Sequence, residues 1–90
     1  LELPNGISPN GDLLNDALIV RGLELFPENE LIVFNRWGSI VYQEDNYRNS
    51  TPWEGQNQNG TILPDGTYFV VVRINSGEAR ELKGYLELRR

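Results

Sequence analysis

The sequence predicts an all-β fold, an antiparallel β-sandwich of about seven short strands. Three observations carry this expectation. Apolar residues alternate or run together over short stretches, with no recurrence at helical spacing. Turn chemistry built on Gly, Pro, Asn and Asp returns throughout the chain. The stretch LPDGTYFVVVRI at residues 63–74 joins a tight turn to a run that is aromatic or β-branched apart from Arg73. That is the composition of a buried strand. Short strands between dense turns imply a sandwich.

Bulk properties narrow the function classes. The 90 residues make one domain, with residues 1–16 as an opening loop and residues 17–90 as the sandwich. A chain of this size buries roughly two-thirds of its unfolded surface, enough for one core without staples. No apolar run approaches the ~18 residues of a membrane-spanning helix. The N-terminus lacks the basic-then-apolar pattern of a cleavable leader, so the chain reads as a mature segment or a piece of something longer. A net charge of −5 opposes nucleic-acid binding, which needs a basic face.

Catalysis is short of parts. There are no cysteines and no histidines, so a disulfide framework, a thiolate nucleophile and an ordinary zinc site are all excluded. Ser8, Ser39, Ser50 and Ser76 have no histidine base, Lys83 is the sole lysine, and no spacing singles out a carboxylate pair. A non-catalytic domain without a small-molecule substrate is expected.

Taken in order, residues 1–11 are rich in Pro, Asn and Gly and read as a loop rather than a strand. Asn10, Asp12, Asn15 and Asp16 then place four oxygen-bearing side chains close together. A flexible loop of carboxylates and amides suits calcium, although the EF-hand order is missing. The same side chains serve equally well as Asx-turn acceptors for backbone N–H groups. Residues 17–20 read as a first short strand, and Leu23 to Phe26 is too close to Pro27 for a helix. Residues 30–34 make a second strand that is apolar on both faces and so central or covered on both sides.

Asn35-Arg36-Trp37-Gly38 is a compact reversal leading into a strand at residues 39–42. The two form a hairpin with Gly38 at a left-handed or bulge position. Trp37 is expected to cap one end of the core. Residues 43–51 are polar and loop-like, and Trp53 folds between two turns against the sandwich edge. In residues 65–68, Asp65-Gly66 forms the turn and Tyr68 stands where a tyrosine corner of immunoglobulin-like sandwiches would bond its hydroxyl back to upstream backbone. Two last strands, at residues 79–82 and 83–90, complete the sheet. The predicted core is Ile32, Phe34, Val41, Tyr68, Val70 and Val72.

The C-terminal end is locally basic, with Arg80, Lys83, Arg89 and Arg90 against Glu81 and Glu87. These charges serve either to keep a last strand solvated and resistant to aggregation or to meet a partner on its unpaired backbone edge, for which Lys83, Arg89 and Arg90 are the candidate residues.

With these pieces in place the chain resembles the gliding-motility-associated C-terminal domain, the type B sorting domain of the type IX secretion system in Bacteroidota. The matching stretches are SPNGDLLND at residues 8–16, IVFNRWGSIVY at 32–42, WEG at 53–55, LPDGTYFVVV at 63–72 and KGYLELRR at 83–90. Two positions depart from the family pattern. Leu13 stands where a second Gly is usual, which weakens calcium binding, and Glu54 stands where Asp is common.

The resemblance implies an immunoglobulin-like sandwich that ends a secreted surface protein. Such a domain would be read in the periplasm by outer-membrane type IX components and would carry its fused N-terminal cargo to the cell surface or the medium. The competing reading is a structural or adhesive immunoglobulin-like stalk module. Position separates the two, because an export address must end its polypeptide.

Overall fold

The computed structural model describes residues 1–8, 16–75 and 80–89. Among the described residues five strands form: β1 (Gly6–Ile7), β2 (Asn29–Phe34), β3 (Ile40–Asp45), β4 (Gly66–Ile74) and β5 (Arg80–Leu88). They make one sheet in the order β1-β5-β4-β2-β3. β4, the run of β-branched and aromatic residues, lies at its centre and pairs antiparallel with both β2 and β5. The architecture is all-β, and the one helical feature among the described residues is a 3₁₀ turn at Leu23–Leu25.

Alternation decides the faces. Leu31 and Val33 of β2, Tyr68, Val70, Val72 and Ile74 of β4, and Leu86 and Leu88 of β5 are all buried in one core. Each such side chain contributes about 1.5–3 kcal/mol by leaving water. The opposite wall comes from irregular segments, through Leu18, Val20, Leu23, Tyr47, Trp53 and Leu63. Those segments are tied by single links: a Glu2–Arg21 bridge, a Gln56–Ile62 bridge, and the Leu18 N–H donating to the Trp53 carbonyl at 2.9 Å. The second layer expected of a sandwich is therefore, among the described residues, a set of bridged loops.

Several expectations are corrected. The stretch read as an opening loop contributes β1, which pairs parallel with β5 through Gly6–Glu87 and Ile7–Leu88, so the sheet is mixed. Residues 17–20 form no strand. Leu18 and Val20 alternate inward as a strand would, but Val20 is paired by a side chain: its N–H donates to Asn49 Oδ1 at 2.9 Å, and Asn49 Nδ2 returns a bond to its carbonyl at 2.8 Å. The 3₁₀ turn follows Gly22, whose φ of 85° reverses the chain before Leu23 is buried. The part of the two final strands that is described is continuous, since β5 keeps unbroken register with β4.

Within the predicted core, Ile32, Tyr68, Val70 and Val72 are buried, whereas Phe34 and Val41 are half-buried. Phe34 points to the face away from the core, and Val41 sits where the β2–β3 register shifts between Val33 and Phe34. Trp37 does not cap the core. It is 74% exposed at the hairpin tip, with the Arg36 guanidinium 4.3 Å from its ring centroid. Trp53 goes deeper than an edge position and is fully buried, with its indole N–H donating to the Gln56 carbonyl at 2.7 Å.

Candidate partner interface

The strand expected to meet a partner is β5, and its free side is only partly covered. The Glu87 N–H donates to the Asn5 carbonyl at 2.9 Å and the Arg89 N–H to the Ile7 carbonyl at 3.0 Å. Odd-numbered residues of β5 therefore aim their backbone groups away from β4. β1 reaches only Glu87 and Leu88. On that side Glu81, Lys83 and Tyr85 have no backbone partner among the described residues. Upstream of β1 the chain turns off, because Glu2 bridges to Arg21 and Leu3 lies beneath Gly84 on the core face.

The far edge of the sheet is treated differently. The Gln43 N–H donates to Gln58 Oε1 at 2.9 Å, and Gln58 Nε2 donates to the Gln43 carbonyl at 3.1 Å. The Gln58 N–H adds a bond to the Val41 carbonyl at 3.1 Å. One glutamine thus stands in for a neighbouring strand. Its loop is held by Trp53, whose ring lies 6.0 Å from that of Tyr42, and by Tyr47. The buried Tyr47 hydroxyl donates to the Leu18 carbonyl at 2.7 Å and accepts from the Trp53 N–H at 2.6 Å. Asn29, also buried, accepts from the Tyr47 N–H at 2.8 Å and donates to the Phe26 and Tyr47 carbonyls.

Electrostatics along β5 are more balanced than the residue count suggests. Lys83 Nζ lies 3.4 Å from Glu81 Oε1, and Arg89 Nε lies 3.6 Å from Glu87 Oε2. Glu81 also accepts from Arg73 Nε at 2.9 Å, while Arg73 Nη1 reaches Glu30 at 3.5 Å. The hydrogen bond from Arg73, followed by that from Lys83, holds the Glu81 carboxyl below its usual range. Glu87 in turn hydrogen-bonds Thr67. The C-terminal cations Lys83 and Arg89 are therefore rungs of an alternating ion ladder, and such exposed, salt-screened pairs add little to stability.

Between these charges runs an aromatic row. Phe34, Phe69 and Tyr85 stand directly opposite one another across β2, β4 and β5, with centroids 6.2 Å and 5.2 Å apart. The row floors a shallow groove of about 640 Å³ and ends at Tyr85, which is 73% exposed. Sequence reasoning missed this row because it assigned Phe34 to the core. The signal was the alternation of residues 82–88, which puts Tyr85 opposite in face to Leu86 and Leu88.

The other candidate residues fall apart spatially or serve the scaffold. The Tyr68 hydroxyl donates to the Pro64 carbonyl at 2.6 Å, the back-bond that defines a tyrosine corner. Asp65 is exposed and Gly66 opens β4 against Leu88. Gly38, at φ 85°, takes the left-handed position of the hairpin, where Asn35 Oδ1 accepts from the Trp37 and Ser39 N–H groups. Of the calcium candidates, Asn10, Asp12 and Asn15 lie outside the described residues, as does Arg90, while Asp16 is half-buried.

Residues 1–88 match the family model of CHU_C, the type IX secretion signal domain. The chain belongs to that family. No curated protein matches it. As a type IX secretion signal domain it is a C-terminal sorting signal, which directs a fused cargo through the secretion machinery to the cell surface or the medium. The family acts as an address and not as a catalyst.

Proposed function

We propose that this sorting signal is recognised, folded and in the periplasm, by an outer-membrane component of the type IX machinery, and that the recognised region is the β5 end with Lys83, Arg89 and Arg90. The family match over residues 1–88 carries the reading. The exposed side chains of Lys83 and Arg89 add support, because charges at a rim steer and orient an encounter. The paired carboxylates Glu81 and Glu87 temper that attraction, so the cations act as selectors of register.

The test is a reporter with a Sec leader, carrying residues 1–90 at its C-terminus, in a host that holds the type IX machinery and the matching partner. The intact fusion should reach the surface or the medium. Reversing Arg89→Glu with Arg90→Glu should lower export without changing the melting temperature. Removing residues 86–90 is a poor test, since Leu86 and Leu88 belong to the core and their loss unfolds the domain. Retention of the intact fusion in the periplasm, with every partner present, would refute the reading.

A further inference from the structure

The geometry points to strand addition at the open stretch of β5, residues 81–85, as the way the secretion machinery grips this domain. This rests on the sorting-signal reading and moves the contact upstream of the chain end. Three observations meet there. The outward N–H and C=O groups of Glu81, Lys83 and Tyr85 are unused among the described residues, while β1 closes the strand from Glu87 onward. The aromatic row Phe34–Phe69–Tyr85 crosses the sheet and stops at this same edge. At the opposite edge Gln58 occupies the outward backbone groups of Gln43 and the Val41 carbonyl, so less of that strand is open to pairing.

Charge decides the occupant. Two copies of this chain pairing antiparallel over residues 81–85 would be centred on Lys83 and would set Lys83 against Lys83. Like charges directly opposite are destabilising, so the edge resists self-association. A partner strand suits it when a carboxylate lies opposite Lys83 and, two positions away, an aromatic or β-branched residue lies opposite Tyr85. That residue becomes the fourth member of the aromatic row, and the ladder supplies affinity while the two side-chain positions supply selection. The occupant is therefore an extended acidic–x–aromatic segment of the outer-membrane component, of four or so residues before it meets β1.

Two measurements test this. In the free domain, amide hydrogen exchange at Lys83 and Tyr85 should be fast, and at Leu82, Gly84 and Leu86 slow. Protection of Lys83 and Tyr85 in the free domain would show the edge already covered and overturn the proposal. In the reporter fusion, Lys83→Pro removes an outward N–H without touching the β4 ladder and is tolerated at such a position. It should cut export roughly ten-fold or more while the purified domain melts as wild type, and Lys83→Arg should export normally. If Lys83→Pro does not fold, the surface pair Lys83→Glu with Tyr85→Ala decides the matter by the same criterion. A folded edge variant exported at the wild-type level overturns strand addition but leaves the sorting reading intact. Failure of the wild-type fusion itself strikes the sorting reading instead.

Discussion

At β3 the outward backbone groups of Gln43 are taken by the Gln58 amide, whereas at β5 those of Glu81, Lys83 and Tyr85 have no backbone partner among the described residues and lie in a row of charges. Both are outer regions of one sheet, and both carry the aggregation hazard of unpaired strands. The difference lies in what stands behind each. The β3 side is backed by a loop anchored on buried Trp53, Tyr47 and Asn29, so a side chain can be held still enough to imitate a strand. Among the described residues the β5 side has the two residues of β1 and a ladder of exposed ion pairs. Rigid closure needs a buried anchor, whereas the β5 edge is protected by charge.

The sharpest way to break the closed side is to remove its anchor. Trp53→Ala should cost about 3–5 kcal/mol in urea denaturation, as for a fully enclosed aromatic. Phe34→Ala, on the open face and half-buried, should cost only about 1–2 kcal/mol. Equal losses would mean that the two faces are enclosed alike. Asn29→Ala comes next. It leaves the Tyr47 N–H and the Phe26 carbonyl short of partners, and should destabilise by about 2–3 kcal/mol.

High pH should loosen the same side. Burial, with help from the Glu44 hydrogen bond, pushes the Tyr42 hydroxyl up to about 12, and burial raises Tyr47 further still. Both hold their protons more tightly folded than unfolded. Their contribution is therefore complete below the unfolded value of about 10 and is lost as pH climbs from there through the folded values. The urea midpoint should fall above that pH, and less steeply in Tyr42→Phe. A flat midpoint across this range would contradict the buried hydroxyl network.

The smallest effects concern the edges themselves. Gln58→Ala should cost about 1 kcal/mol and speed amide exchange at Gln43, while Lys83→Gln should change stability by less than about 0.5 kcal/mol. If Gln58→Ala proves as silent as Lys83→Gln, the β3 edge is not closed by that amide.

The strands that pattern reading located, β2, β3, β4 and β5, are those whose backbone partners are other strands. Residues 17–20 were misread because Leu18 and Val20 also alternate, while their backbone is met by Asn49 and Trp53 from far along the chain. β1 was invisible because two residues within a Pro-Asn-Gly segment carry no period. Trp37 was placed inside on hydrophobicity alone, yet a hairpin tip offers nothing to cover it. At the candidate interface, the cations were legible and their pairing with carboxylates was not. Glu81–Lys83 and Glu87–Arg89 are spaced by two, which places each pair on one face only once the strand and its register are known.

Because β1 runs parallel to β5, tension has a defined path through this domain. A cargo joined ahead of Leu1 and a grip on β5 would draw the two strands past each other along their own axes. The bonds from Glu87 to Asn5 and from Arg89 to Ile7 then lie across the load and give way together, instead of opening one after another as in a hairpin peeled from its end. Ile7 and Leu88, side by side and both buried, must slide out of the core in the same step. A short and unimpressive strand thus becomes a clasp set in shear, at the point where a dragged cargo would pull hardest.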